Sequence, residues 1–153
     1  MLIITVIGDE NSGKTTLLRQ LYLNLCYGKD LTKLISYEPD GFDRCDFFSL
    51  LSVKNKVIAI KTLGDKNDET KAGDFAWVKD GIERAQTAKA DILINALSTN
   101  LQEGKNKGVY NTLLPKGATF ISYKLQTGQS VGEKVVEEEK LLAAIITELK
   151  KNL

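Results

Sequence analysis

Near the start of this 153-residue chain stand two glycines five positions apart, followed at once by a lysine and two threonines. The stretch reads Gly8-Asp9-Glu10-Asn11-Ser12-Gly13-Lys14-Thr15-Thr16 and matches the pattern G-x-x-x-x-G-K-[ST]. Each fixed position has a chemical reason. Gly8 lets the chain leave a strand in a turn that L-residues resist, and Gly13 lets backbone N–H groups close on phosphate oxygens. A helix that starts at this point has N–H groups without intrahelical partners and so favours an anion. Lys14 can then reach β- and γ-phosphates as a point charge, and the Thr15 hydroxyl can join the oxygen ligands of Mg²⁺. Thr16 would face an α-phosphate. On this reading the backbone N–H groups of residues 10–16 cradle the phosphates.

Such a loop works only if a strand delivers it and a helix receives it. Leu2 to Ile7 form an unbroken, β-branched apolar run, as in a strand covered on both faces. From Lys14 the apolar residues Leu17, Leu18, Leu21, Leu25 and Cys26 recur at helical spacing, and Gly28 ends the run. Residues 29–44, with a Pro-Asp-Gly turn signal, read as a long loop. Residues 46–62 read as a β-hairpin turning at Lys54-Asn55-Lys56. The polar stretch 63–74 reads as a loop and 75–90 as a helix interrupted by Gly81. Residues 91–98 give a buried strand, 99–117 a loop with a short helix, and 118–126 another strand. Residues 133–152 give the clearest helix, with Glu133 and Glu137 to Glu139 early and Lys150 and Lys151 late, which complements the helix dipole. Strands that alternate with helices predict a three-layer α/β fold. The expected sheet has five mostly parallel strands with one antiparallel edge strand, in a single domain over residues 1–153.

Composition removes several function classes. There is no histidine, so histidine triads and general bases are excluded, and Cys26 and Cys45 have no metal-ligand spacing. The two cysteines read as reduced thiols of a cytoplasmic protein. A formal net charge of +1, without aromatic-basic interleaving, gives no basis for binding nucleic acid or anionic lipid. No apolar run reaches the ~20 residues of a membrane span. Arginine supplies only Arg19, Arg44 and Arg84 of the 21 basic residues.

Over residues 2–26 the chain resembles the P-loop nucleoside triphosphatase superfamily. The resemblance implies a nucleoside triphosphate bound with Mg²⁺, a Rossmann-like P-loop fold, and hydrolysis or phosphoryl transfer. The hairpin followed by a glycine is similar to the layout of Ras-like GTPases, in which a strand ends in D-x-x-G and the aspartate holds magnesium through water. Here that stretch reads Lys61-Thr62-Leu63-Gly64, with Asp65 next. The resemblance therefore nominates Asp65, ahead of Asp68 and Asp74, to hold the magnesium water or orient the nucleophile. The guanine-reading N-K-x-D of that family is represented by Tyr123-Lys124-Leu125-Gln126, which lacks the aspartate and favours ATP over GTP.

Two other functions stay open at this level. A small-molecule kinase would use Lys14 and Thr15 equally well, with Arg44 facing the phosphoryl acceptor, but no arginine follows Arg84 to build a lid. A switch protein acting through a protein partner would use the loops 29–45 and 63–74, with Thr32 or Ser36 meeting magnesium. Ser98, Thr99 and Asn100 follow the strand 91–98 at the edge where α/β sheets bind ligands, and they suit either phosphate contact or capping. Trp77 reads as a packing residue of its helix.

Overall fold

The computed structural model describes residues 1–9, 12–40, 45–62, 74–99, 108–126 and 130–153. In chain order the elements are β1 (Leu2–Gly8), α1 (Lys14–Tyr27), β2 (Leu31–Asp40), β3 (Asp46–Val53), β4 (Lys56–Lys61), α2 (Asp74–Thr87), β5 (Ile92–Ser98), α3 (Val109–Leu113), β6 (Thr119–Lys124) and α4 (Val131–Asn152). One six-stranded sheet has the order β2-β3-β4-β5-β1-β6. β4, β5, β1 and β6 are parallel, whereas β3 is antiparallel to both of its neighbours. Strand alternation sends Leu2, Ile4 and Val6 to one face, where they meet Leu17, Leu18 and Leu21 of α1 and Ile145 and Leu149 of α4. Ile3 and Ile7 go to the other face, against Val78, Ile82 and Ala85 of α2 and Tyr110 of α3. Helices therefore cover both faces of a mostly parallel sheet, the expected α/β architecture.

The sheet is nonetheless larger than the sequence pattern suggests. Residues 31–40, read above as loop, form β2, and two antiparallel pairings replace the single antiparallel edge strand. β2 is an edge strand with register shifts between Leu31 and Lys33 and between Leu34 and Ser36, and these bulges scramble the period-two signal. Leu34, Ile35 and Tyr37 stay substantially exposed, and Pro39 sits opposite Phe47, where an edge strand tolerates a missing donor. Tyr37 still holds β2 down, stacking on Phe47 at 5.1 Å between ring centroids and meeting Tyr22 of α1 at 5.4 Å. The hairpin matches its expectation: Lys54 and Asn55 have φ of 48° and 65°, the paired left-handed turn that suits twisted antiparallel strands.

One buried polar cluster interrupts the second core. Thr5, at the centre of β1, donates to Asn95 Oδ1 of β5 at 2.6 Å and lies 2.8 Å from the Tyr110 hydroxyl. Asn95 Nδ2 donates to the same hydroxyl at 3.2 Å. Burial pushes the Tyr110 phenol above its ordinary range, so it stays protonated and available as a donor. Thr5 and Asn95 are register partners, and a one-residue slip of β1 would separate them and turn every core residue of the strand to the wrong face. Tyr110→Phe strips a hydrogen-bonding group from two buried partners and is expected to destabilise the fold by about 1–3 kcal/mol. Denaturant unfolding checks this, and a loss below ~0.5 kcal/mol would show that the cluster contributes little.

Candidate functional site

The parallel strands deliver their carboxyl ends to one edge of the sheet, and the site lies there. Gly8 ends β1 opposite Ser98 of β5, and Ile7 is opposite Lys124 of β6. The glycine loop leaves between these neighbours. Gly8 is pressed closely enough that a Cβ would lie 2.4 Å from Ser12 Oγ and 3.3 Å from Leu125. Gly13 has φ +97°, in the left-handed region, and starts α1 without a side-chain cap. A Cβ at Gly13 would also stand 2.4 Å from Glu138 Oε1 of α4, so any other residue there is both strained and crowded. Gly13 supplies no side chain to cap the start of α1, the kind of helix start whose N–H groups can meet an anion.

Lys14 is the first helical residue and is 2% exposed. Its Nζ donates to the carbonyls of Gly8 at 2.9 Å and Asp9 at 2.7 Å, and lies 3.4 Å from Ser12 Oγ. The loop thus wraps its own lysine, holding one cation at the mouth of the helix. Ser12 is buried, Asp9 and Thr16 are exposed, and Thr15 lies between these extremes. Glu10 and Asn11 fall outside the described residues.

Thr15 makes the contact that sequence reading missed. Its hydroxyl donates to Asp46 Oδ1 at 3.0 Å, and the same oxygen accepts from Thr62 Oγ1 at 2.8 Å. Asp46 reaches this edge because β3 runs against its neighbours: an antiparallel strand presents its first residue where the parallel strands present their last. One turn further along α1, Arg19 donates to the carbonyl of Cys45. Thr15 and Arg19, four residues apart on one helix face, therefore hold two consecutive residues at the start of β3. Asp46 follows no recognisable spacing from Lys14, so only the sheet topology could reveal it.

At the end of β4, where the D-x-x-G comparison falls, the described residues are Lys61 and Thr62. Strand β5 separates β4 from β1, so the two stand roughly 10 Å apart across the sheet. Lys61 is 1% exposed, its Nζ lies 3.1 Å from Asp80 of α2, and its stem fills the space that Gly81 leaves open. A Cβ at Gly81 would come within 2.4 Å of Lys61 Cδ, which explains why this helix carries a glycine in mid-course. Asp65 and Asp68, with Arg44 and Asn100, lie outside the described residues; Asp74 opens α2.

Other candidates separate clearly. Ser98 and Thr99 are buried beside the loop, and the Thr99 hydroxyl has no hydrogen-bond partner among the described residues. Thr32 is exposed on β2 near Ser52 and Val53, about 20 Å along β3 from Asp46. Ser36 lies opposite Leu50 on the same edge pairing. Neither is brought to Thr15. Tyr123 packs into the first core, where burial raises its phenol above the usual range, and Gln126 N donates to Glu137 Oε1 at 3.0 Å. Trp77 is half-buried on α2. Cys26 and Cys45 form no disulfide.

Among the described residues no helix is long and apolar enough to cross a membrane, and no group of three His, Cys, Asp or Glu side chains could hold a metal ion. Comparison of the chain with protein-family models, with curated proteins and with solved structures gives no match.

Proposed function

We propose that the chain is a small P-loop protein that binds a nucleoside triphosphate with Mg²⁺ at Gly8–Thr16 and hydrolyses it. The observation that carries this reading is Lys14: a buried ammonium at the uncapped start of a helix, wrapped by a glycine loop at the carboxyl edge of parallel strands. That edge is where open α/β sheets bind ligands. Lys14 would exchange part of its carbonyl contacts for β- and γ-phosphate oxygens, placing fixed charge where the reaction develops negative charge. The N–H groups of the loop and first helical turn would hold the remaining phosphate oxygens. The oxygen donor at Thr15 suits a hard cation, and Mg²⁺ is usually held by one or two protein groups together with substrate phosphates. When bound, the ion would neutralise charge on the β and γ oxygens. ATP is the preferred nucleotide in this reading, because Tyr123–Gln126 supplies no carboxylate side chain for guanine and Glu137 is engaged with the backbone.

Calorimetric titration with ATP, GTP, ADP and GDP, with and without Mg²⁺, tests the proposal. Magnesium-dependent ATP binding followed by slow phosphate release is expected. Turnover that rises many-fold when a metabolite is added would move the assignment to a kinase. No binding of any of the four nucleotides would overturn the reading.

A further inference from the structure

The structure assigns to Asp46 the part of the magnesium site that sequence comparison would seek at the end of β4. This inference rests on the nucleotide reading above and names the carboxylate that positions its metal. Three hydroxyl or carboxylate oxygens converge at the head of α1: Thr15 Oγ1, Asp46 Oδ1 and Thr62 Oγ1, with separations of 3.0 and 2.8 Å from the carboxylate oxygen. A threonine hydroxyl has one proton and two lone pairs. Thr15 gives its proton to Asp46, which leaves the lone pairs of its oxygen to ligate a cation. Two other helical threonines behave otherwise: Thr87 and Thr147 donate back to the carbonyls of Glu83 and Ala143, one turn earlier.

The position of Asp46 is built from several sides. Arg19 holds the carbonyl of Cys45, Phe47 N donates to Thr62 Oγ1 at 2.8 Å, and Thr62 N donates to the carbonyl of Phe47 at 3.1 Å. The end of β4 meanwhile commits Lys61 to α2, on the opposite face from Ile58 and Ile60, and among the described residues offers the Thr62 hydroxyl toward Asp46. The antiparallel strand thus supplies the acid that the parallel strand lacks. In this assignment Thr15 is the protein ligand of Mg²⁺. Asp46 is a positioning residue, orienting Thr15 and holding a metal-bound water with its negative charge.

The test compares ATP affinity with and without Mg²⁺ in the wild type and in Asp46→Asn, together with Mn²⁺ binding to the ADP complex read by electron paramagnetic resonance. The ratio of the two ATP affinities is expected to fall about 10- to 100-fold in the variant, and Mn²⁺ to bind correspondingly more weakly. Metal-free ADP affinity should change less than about threefold, since the loop and Lys14 are intact. Asp46→Glu retains the charge and should recover part of the ratio, which keeps the test decisive if the asparagine variant folds poorly. Thr62→Val removes the other hydrogen bond to the same oxygen without changing charge, and should lower the melting temperature while moving the ratio less than Asp46→Asn. If Asp46→Asn lowers the melting temperature and leaves the magnesium ratio unchanged, Asp46 is a structural latch and the assignment falls. If the wild type binds ATP equally well with and without magnesium, the metal site fails while the phosphate loop stands. Absence of nucleotide binding in the wild type overturns both.

Discussion

Lys14→Ala is expected to weaken ATP binding by about 100-fold or more. Charge-assisted hydrogen bonds contribute roughly 1.5–3 kcal/mol each, and an ammonium shared between two phosphates loses at least two of them. At 1.4 kcal/mol per decade, that range starts near 100-fold. ADP should lose less, because it lacks the γ-phosphate. Lys14→Arg should rescue poorly, since the pocket between the Gly8 and Asp9 carbonyls admits a compact point charge and a planar guanidinium spreads beyond it. The measurement is calorimetry on folded protein, with melting temperature as the control, because alanine also deprives those two carbonyls of their donor. Affinity within threefold of wild type would mean that the loop binds no phosphate.

The largest stability effect is expected from Phe47→Ala. Phe47 is fully buried, and its ring sits 5.2 Å from Tyr22 and 5.1 Å from Tyr37, joining α1, the edge strand and the neighbour of Asp46. Truncating such a ring costs about 3–5 kcal/mol in transfer energy and cavity. For a chain of this size that corresponds to a melting temperature lower by roughly 10 °C. β2 makes no strand contact except with β3, so its amides should also lose protection against hydrogen exchange before those of β5. A loss below ~1 kcal/mol, with β2 protection unchanged, would show that the aromatic cluster is not what fastens the edge.

The elements that carry the glycine loop were legible because each buries a regular pattern. β1 and β5 are buried throughout and mostly apolar because both faces are covered, α1 repeats its leucines every three or four residues, and Ser130 caps α4 by accepting from Glu133 N. β2 was not legible, because an edge strand with two bulges and exposed apolar residues has neither alternation nor burial to announce it. Lys14 and Thr15 could be read from local spacing alone. Asp46 could not, because it lies 31 positions from Thr15 and meets it only after β3 has been laid antiparallel in the sheet. Lys61 stands where the family pattern has its acid, and its structural part is the packing of α2 through Gly81, which local spacing does not announce.

The sheet order also dictates how the site can be assembled in time. β2, β3 and β4 are joined by short connections and can zip together as a local meander, with little loop entropy to overcome. β1 has no such partner. Its neighbours are β5 and β6, and Thr5 finds Asn95 and Tyr110 only across 90 and 105 positions of chain. Long-range parallel pairings of this kind form slowly. The strand that launches the glycine loop is therefore sandwiched late, after the antiparallel part has formed. A phosphate ligand, which needs that loop in place, would slow unfolding far more than it speeds folding.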